Sequence, residues 1–277
     1  MSLTLHSFVK LPLAASLALC LVALIHSSTR AHDAWVEANT PLVRTGDVVH
    51  LDLKLGNHGN NHRDFKLAGR LNPDWTAWDV VTPSGARKSL KTTASATAAG
   101  DKEGYWTTPF LADEEGVYTV VQSLERVMNH GKPVRGIRSA KTLFISSKSL
   151  DNPKCDLAAA HKPQGLPFEL VLDSCPLQGL GAERPLKVRL LKNGKPAAGV
   201  VVSFIPRGAK LADDFDADYE RKTDAEGRAV FTPKAGNLYL VVAHFNAEDE
   251  KSAEYEYTSY AATLTVHVPQ KCACCLE

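Results

Sequence analysis

The residue with the most to offer chemically is His32, because of where the processed chain is expected to begin. Lys10 precedes the apolar run Leu11–Ile25, and the small, polar segment Ser27-Ser28-Thr29-Arg30-Ala31 follows it. This run is shorter than the about 20 apolar residues of a spanning helix. With small residues at Thr29 and Ala31 before the cut, residues 1–31 read as a secretory signal peptide. Cleavage after Ala31 leaves His32 first, and its α-amine and ring Nδ1 can then chelate one cation. An α-amine of pKa near ~7.7 is available for this close to neutral pH. A second imidazole completes a T-shaped nitrogen site, suited to Cu(II) and tolerable for Ni(II).

Several residues are candidates to complete such a site. His244 ends the run Leu238-Tyr239-Leu240-Val241-Val242-Ala243-His244, on the face shared with Leu238, Leu240 and Val242. That position suits either a hydrogen-bonded core histidine or a metal ligand. His58 and His62 stand four apart in the loop Asn57-His58-Gly59-Asn60-Asn61-His62, which can close over a metal or remain a polar surface loop. His130, beside Gly131 in a basic, irregular segment, is equally open. His50 and His267 sit on the polar sides of their strands and are expected to face solvent.

The tail offers softer donors. Cys272, Cys274 and Cys275 can bind an ion such as Cu(I) as a second site, or form disulfides in an oxidising compartment. Five cysteines lie beyond residue 31, so at least one has no partner within the chain. Cys155 with Cys175 is the preferred structural disulfide.

Other chemistries find little support. The chain lacks a Gly-x-Ser-x-Gly elbow, a His-Glu-x-x-His zinc motif and a phosphate-cradling glycine loop. Asp213-Asp214-Phe215-Asp216-Ala217-Asp218 has alternating carboxylates but lacks the glycine and terminal glutamate of a calcium loop, so it reads as a solvated acidic loop. Lys plus Arg number 32 against 31 Asp plus Glu, which sets nucleic-acid binding aside. A 44% hydrophobic and 23% charged composition is that of a globular protein, and 277 residues are enough for two domains. Nothing after residue 31 has the length and apolarity of a membrane span.

The elements that must position these residues read as strands. Val49, Leu51, Leu53 and Leu55 alternate onto one face, and Gly116–Val121 and Trp78–Gly85 read as strands meeting turns. All four tryptophans (35, 75, 78 and 106) fall in the first half and suggest a single aromatic core there, with Trp35 in it. Lys91–Gly100 reads as a flexible exposed loop, and the pattern blurs from Leu124 to Lys141. In the second half, Asn193-Gly194 marks a hairpin turn because both residues tolerate positive φ. Thr223–Arg228 is a polar turn before Ala229-Val230-Phe231, and strands follow over Leu238–Phe245 and Ala262–Val268. The fold class is therefore all-β: two immunoglobulin-like or transthyretin-like sandwich domains after a cleaved signal peptide. The boundaries are residues 1–31 (signal), 32–148 (first sandwich), 149–164 (linker), 165–270 (second sandwich) and 271–277 (cysteine-rich tail).

Two stretches resemble a family of exported proteins of unknown function. The start Ala31-His32-Asp33-Ala34-Trp35-Val36-Glu37 carries the first part of the likeness. The second half carries more of it, in order: Leu166–Val171, Pro185–Leu191, Gly194-Lys195-Pro196-Ala197-Ala198-Gly199, Thr223-Asp224-Ala225-Glu226-Gly227, Gly236–His244 and Tyr257–Val266. The Gly-Lys-Pro and Thr-Asp-Ala-Glu-Gly segments are also shared with carboxypeptidase-regulatory-like sandwiches, so they report fold more than function. Members of the family are often described as periplasmic components of cobalt or nickel uptake. The resemblance implies a periplasmic component of nickel or cobalt uptake. Joined to the nitrogen chemistry of His32, which also suits copper, the expectation is a non-enzymatic protein that binds nickel, cobalt or copper and hands it to a membrane metal transporter. It also strengthens His244 as a ligand, since the family has a histidine after its corresponding strand. Two other readings stay open: an envelope interaction module without metal, and a copper enzyme built on an N-terminal histidine brace.

Overall fold

Alternation of apolar and polar residues over most of the chain makes strands, and the computed structural model, which describes residues 32–56, 71–97, 103–129 and 131–271, is built almost wholly from them. In chain order these are β1 (Asp33–Ala38), β2 (Leu42–Arg44), β3 (Val48–Gly56), β4 (Ala77–Val81), β5 (Arg87–Ser89), β6 (Ser95–Ala96), β7 (Trp106–Leu111), β8 (Gly116–Asn129) and β9 (Pro133–Ser147). A short helix, α1 (Leu157–Ala160), capped by Asp156, stands in the expected linker. The remaining strands are β10 (Phe168–Leu172), β11 (Leu186–Lys192), β12 (Lys195–Pro196), β13 (Val201–Pro206), β14 (Glu220–Lys222), β15 (Arg228–Phe231), β16 (Asn237–Ala247) and β17 (Thr258–Val268). Among the described residues no helix is long and apolar enough to cross a membrane.

The two sandwiches share a sheet. A central sheet runs in the order β14-β13-β16-β17-β9-β8-β4-β5, joined where β17 lies parallel to β9 from Thr258↔Arg135 to Thr265↔Thr142. Because side chains alternate across a strand, each face of this sheet serves a different core. Tyr118, Val120, Ala140 and Phe144 face the sheet β1-β3-β7-β6 and pack with Val36, Leu51, Leu53 and Trp78. Their sequence neighbours Val117, Leu143 and Ile145 face the opposite sheet of β10, β11, β12 and β15, packing with Phe168, Leu170, Val188 and Phe204.

Polar pins hold the shared strands in place. Lys141 of β9 donates to Glu169 of β10 at 2.6 Å, with both side chains buried. Glu169 also accepts the amides of Gln164 and Leu166, so the carboxylate has replaced its lost water with three donors. The Cys155–Cys175 disulfide is formed, tying the α1 segment to the loop after β10. The expected turns appear as well. Asn193 and Gly194 both take positive φ, 51° and 74°, in the β11–β12 connection. In the later turn Asp224 accepts the amides of Glu226 and Arg228, while a Cβ on Gly227 would meet the Leu190 carbonyl at 2.5 Å.

Three expectations are corrected. Leu124–Lys141 is part of a long hairpin, β8 and β9, paired without interruption from Gly116↔Ser146 to Asn129↔Pro133. Lys91–Gly100 is exposed but, where described, not a plain loop: it holds a 3-10 turn at Lys91–Thr93 and the strand β6 on β7. The tryptophans do not share one core. Trp78 belongs to the first core, Trp35 packs with Ile205, Leu240 and Val242 of the second half, and Trp75 is exposed.

Candidate metal centre at the start of the first strand

Strand β1 has the sequence Asp-Ala-Trp-Val-Glu-Ala, and its alternation gives it two different jobs. Ala34, Val36 and Ala38 fill the first core. Asp33, Trp35 and Glu37 face the other way, onto β13, β16 and β17. Two backbone contacts fix this seat: Thr263 Oγ1 donates to the Ala34 carbonyl at 2.8 Å and His267 Nε2 to the Ala38 carbonyl at 3.1 Å. His267 is therefore not solvent-facing as expected. It lies against β1, and burial pushes its pKa down.

At the far end of this face, Glu37 is buried and receives three donors: Trp35 Nε1 at 2.7 Å, Lys54 Nζ at 2.5 Å and Arg207 Nη2 at 2.5 Å. At the near end, Asp33 Oδ1 bonds His244 Nε2 at 2.7 Å. The Asp33 side chain is 16% exposed and that of His244 51% exposed, so the pair reaches solvent through the histidine. The charge of Asp33 raises the His244 pKa above its ordinary value, against the loss of water and the nearby positive Arg138. Arg138, on β9, is anchored by the carbonyls of Ser259 at 2.7 Å and Ile137 at 3.1 Å.

Of the residues singled out in the sequence, His32 stands immediately before β1, and His244 is bonded to the residue that follows His32. His50 is exposed, as expected. His58, His62, His130, Cys272, Cys274 and Cys275 lie outside the described residues. Within the acidic loop, Asp216 is engaged with the amides of Ala212, Asp218 and Tyr219, a turn-closing role. Among the described residues no group of three or more His, Cys, Asp or Glu side chains is arranged to hold a metal. Sequence reasoning passed over Asp33 and Arg138. The odd-numbered alternation Asp33, Trp35, Glu37 was the available signal that β1 has a second, partly polar contact face.

Comparison with curated proteins found no match. Among solved structures, a DUF4785 family protein from Legionella pneumophila is similar at 11% identity, over 75% of this chain and 50% of its own length, with a TM-score of 0.26. This chain thus spans half the length of that protein. The ectodomain of mouse nectin-like molecule 4 is similar at 12% identity, covering 86% and 64% of the two chains, with a TM-score of 0.22. Murine CEACAM1b is similar at 10% identity, covering 85% and 98%, with a TM-score of 0.21. The family described as domain of unknown function DUF4198 matches residues 29–247, and the chain belongs to it.

Proposed function

We propose that residues 1–31 direct export to the periplasm and are removed, and that the mature protein captures a divalent transition metal for delivery to a membrane metal transporter. Nickel, cobalt and copper are the candidate cargoes. The observation that carries this reading is the seating of β1: Asp33 is bonded to His244, so a half-exposed imidazole lies beside the start of the mature chain. The compact unit of the chain begins at His32, which agrees with cleavage after Ala31. His32 would contribute its α-amine and imidazole and His244 a second imidazole. This all-nitrogen set suits late first-row divalent ions, while the hard ions calcium and magnesium prefer oxygen. The third nitrogen donor is created by cleavage and is not a side chain, which is why side-chain clusters alone do not reveal the set.

The test is metal titration of exported protein whose N-terminus has been confirmed as His32 by mass spectrometry, with chelator competition ranking Ni(II), Co(II), Cu(II) and Zn(II). One tightly bound equivalent is expected. It should be lost in His32→Ala and in a chain extended by a single residue ahead of His32. Absence of binding above the nonspecific level would overturn the reading and leave an envelope interaction module in which Asp33–His244 is a strut. Oxygen consumption with a reductant by the copper-loaded protein would instead mark an enzyme.

A further inference from the structure

We infer that Asp33 is a positioning residue for the metal centre: by taking His244 Nε2 as its hydrogen-bond partner, it assigns Nδ1 as the nitrogen that meets the ion. This inference rests on the metal reading above and names the part of the site that the reading leaves undetermined. An imidazole has two nitrogens, and one that donates its proton to a carboxylate cannot also offer a lone pair. The 2.7 Å bond from Nε2 to Asp33 Oδ1 commits that nitrogen and leaves the other. A carboxylate in this place also fixes the ring plane and makes the remaining nitrogen a better donor.

Asp33 is itself held from two directions. Its backbone is the first residue of β1 paired with β3, opposite Gly56, so the strand sets its height above the central sheet. Arg138 stands on the neighbouring β9, fixed by the Ser259 and Ile137 carbonyls, and its charge acts on both Asp33 and His244. Three strands that are distant in sequence, β1, β9 and β16, thus converge on one imidazole. The exposures are compatible with this: the His244 side chain is 51% exposed and that of Asp33 16%, so the imidazole is the more accessible member of the pair. Glu37, on the same strand face, shows the contrasting case of a carboxylate held by three donors, with 8% of its side chain exposed.

The test uses the mature protein and Cu(II) alone as the probe. Asp33→Ala should weaken Cu(II) binding about 10- to 100-fold, and Asp33→Glu should recover part of the loss. Pulsed electron paramagnetic resonance of the remote imidazole nitrogen should change in Asp33→Ala, because that nitrogen has lost its carboxylate partner; a purely structural role would leave the signal unchanged. Asp33→Asn, which keeps the size of the side chain, carries the same comparison should the alanine variant fail to fold. Cu(II) bound by the unmodified protein with equal affinity and an equal remote-nitrogen signal in the Asp33 variants would overturn this inference and leave the metal reading standing. No Cu(II) bound by the unmodified protein would overturn both.

Discussion

The outward face of β1 carries two carboxylates four residues apart on a single strand, and they have opposite characters. Glu37 is enclosed, its oxygens shared among Trp35, Lys54 and Arg207, with Lys54 also 3.3 Å from Asp52. Asp33 is bonded to one histidine whose ring is half in solvent. The difference lies in what surrounds each end, since the strand is the same. The inner end is covered by the Arg207 turn and by β3, and the Glu37 carboxylate there is partnered within the protein. At the outer end the His244 partner of Asp33 is 51% exposed, so the pair there reaches solvent. A strand can therefore be a buried structural pin at one end and open to water at the other.

The contrast between the two ends makes definite predictions. Trp35→Ala should cost the most, about 4 kcal/mol, because it removes the fully buried side chain that joins β1 to Ile205, Leu240 and Val242. Urea unfolding measures it. Glu37→Gln should follow at about 3 kcal/mol, since the buried Lys54 would lose its shorter carboxylate contact and keep Asp52 at 3.3 Å as a charged partner, and Arg207 would lose its own; a loss near that expected of an exposed pair would show the inner end to be wetter than its burial implies.

The next effect is in the pH dependence of the metal-free protein. Burial on its own would raise the Glu37 carboxyl, but Lys54 and Arg207 outweigh it and hold it below its ordinary value of 4.5. A depressed folded pKa gives stability that is full above the unfolded value and lost as pH falls through the folded one. The His244 shift is upward, so its contribution is full below about 6.5 and lost as pH rises through the raised value. The inner end should thus fail toward acid and the outer end toward alkali. Unfolding free energies across the pH range should lose the acid slope in Glu37→Gln and the alkaline slope in His244→Gln. The smallest stability change is that of His244→Ala, below about 1 kcal/mol, as for other half-exposed pairs. That variant should nevertheless lose metal binding, which chelator competition reads directly.

Much of the fold was legible wherever a strand has one face in a core and one in water. Val49, Leu51 and Leu53 declared their face by alternation, and the Asn193-Gly194 turn declared itself by the positive φ that both residues adopt. Of β9, Thr142–Ile145 read as a strand in the sequence, while the residues before it, to Lys141, did not. Ser139 to Ser147 is buried without a break because a sheet covers each face, so this stretch carries no alternation of apolar and polar residues. Lys141 in that run looks like a surface residue until Glu169 is brought opposite it. His267 was misjudged similarly, since the polar side of β17 is roofed by β1.

The candidate site divides along the same line. His32 followed from the signal-like segment before it and His244 from its position at the end of an apolar strand, which makes them the donors of the proposed site; the β class, the Asn193-Gly194 turn and the Cys155–Cys175 pairing were determined by the sequence and are present in the fold. Only the tertiary structure decided that Asp33 meets His244, 211 residues away, that Arg138 stands behind them, and that one strand faces two cores. The physical reason is that local pattern reports whether a side chain is buried, whereas the identity of its partner depends on sheet order and register, which are set by pairings between segments far apart in the chain.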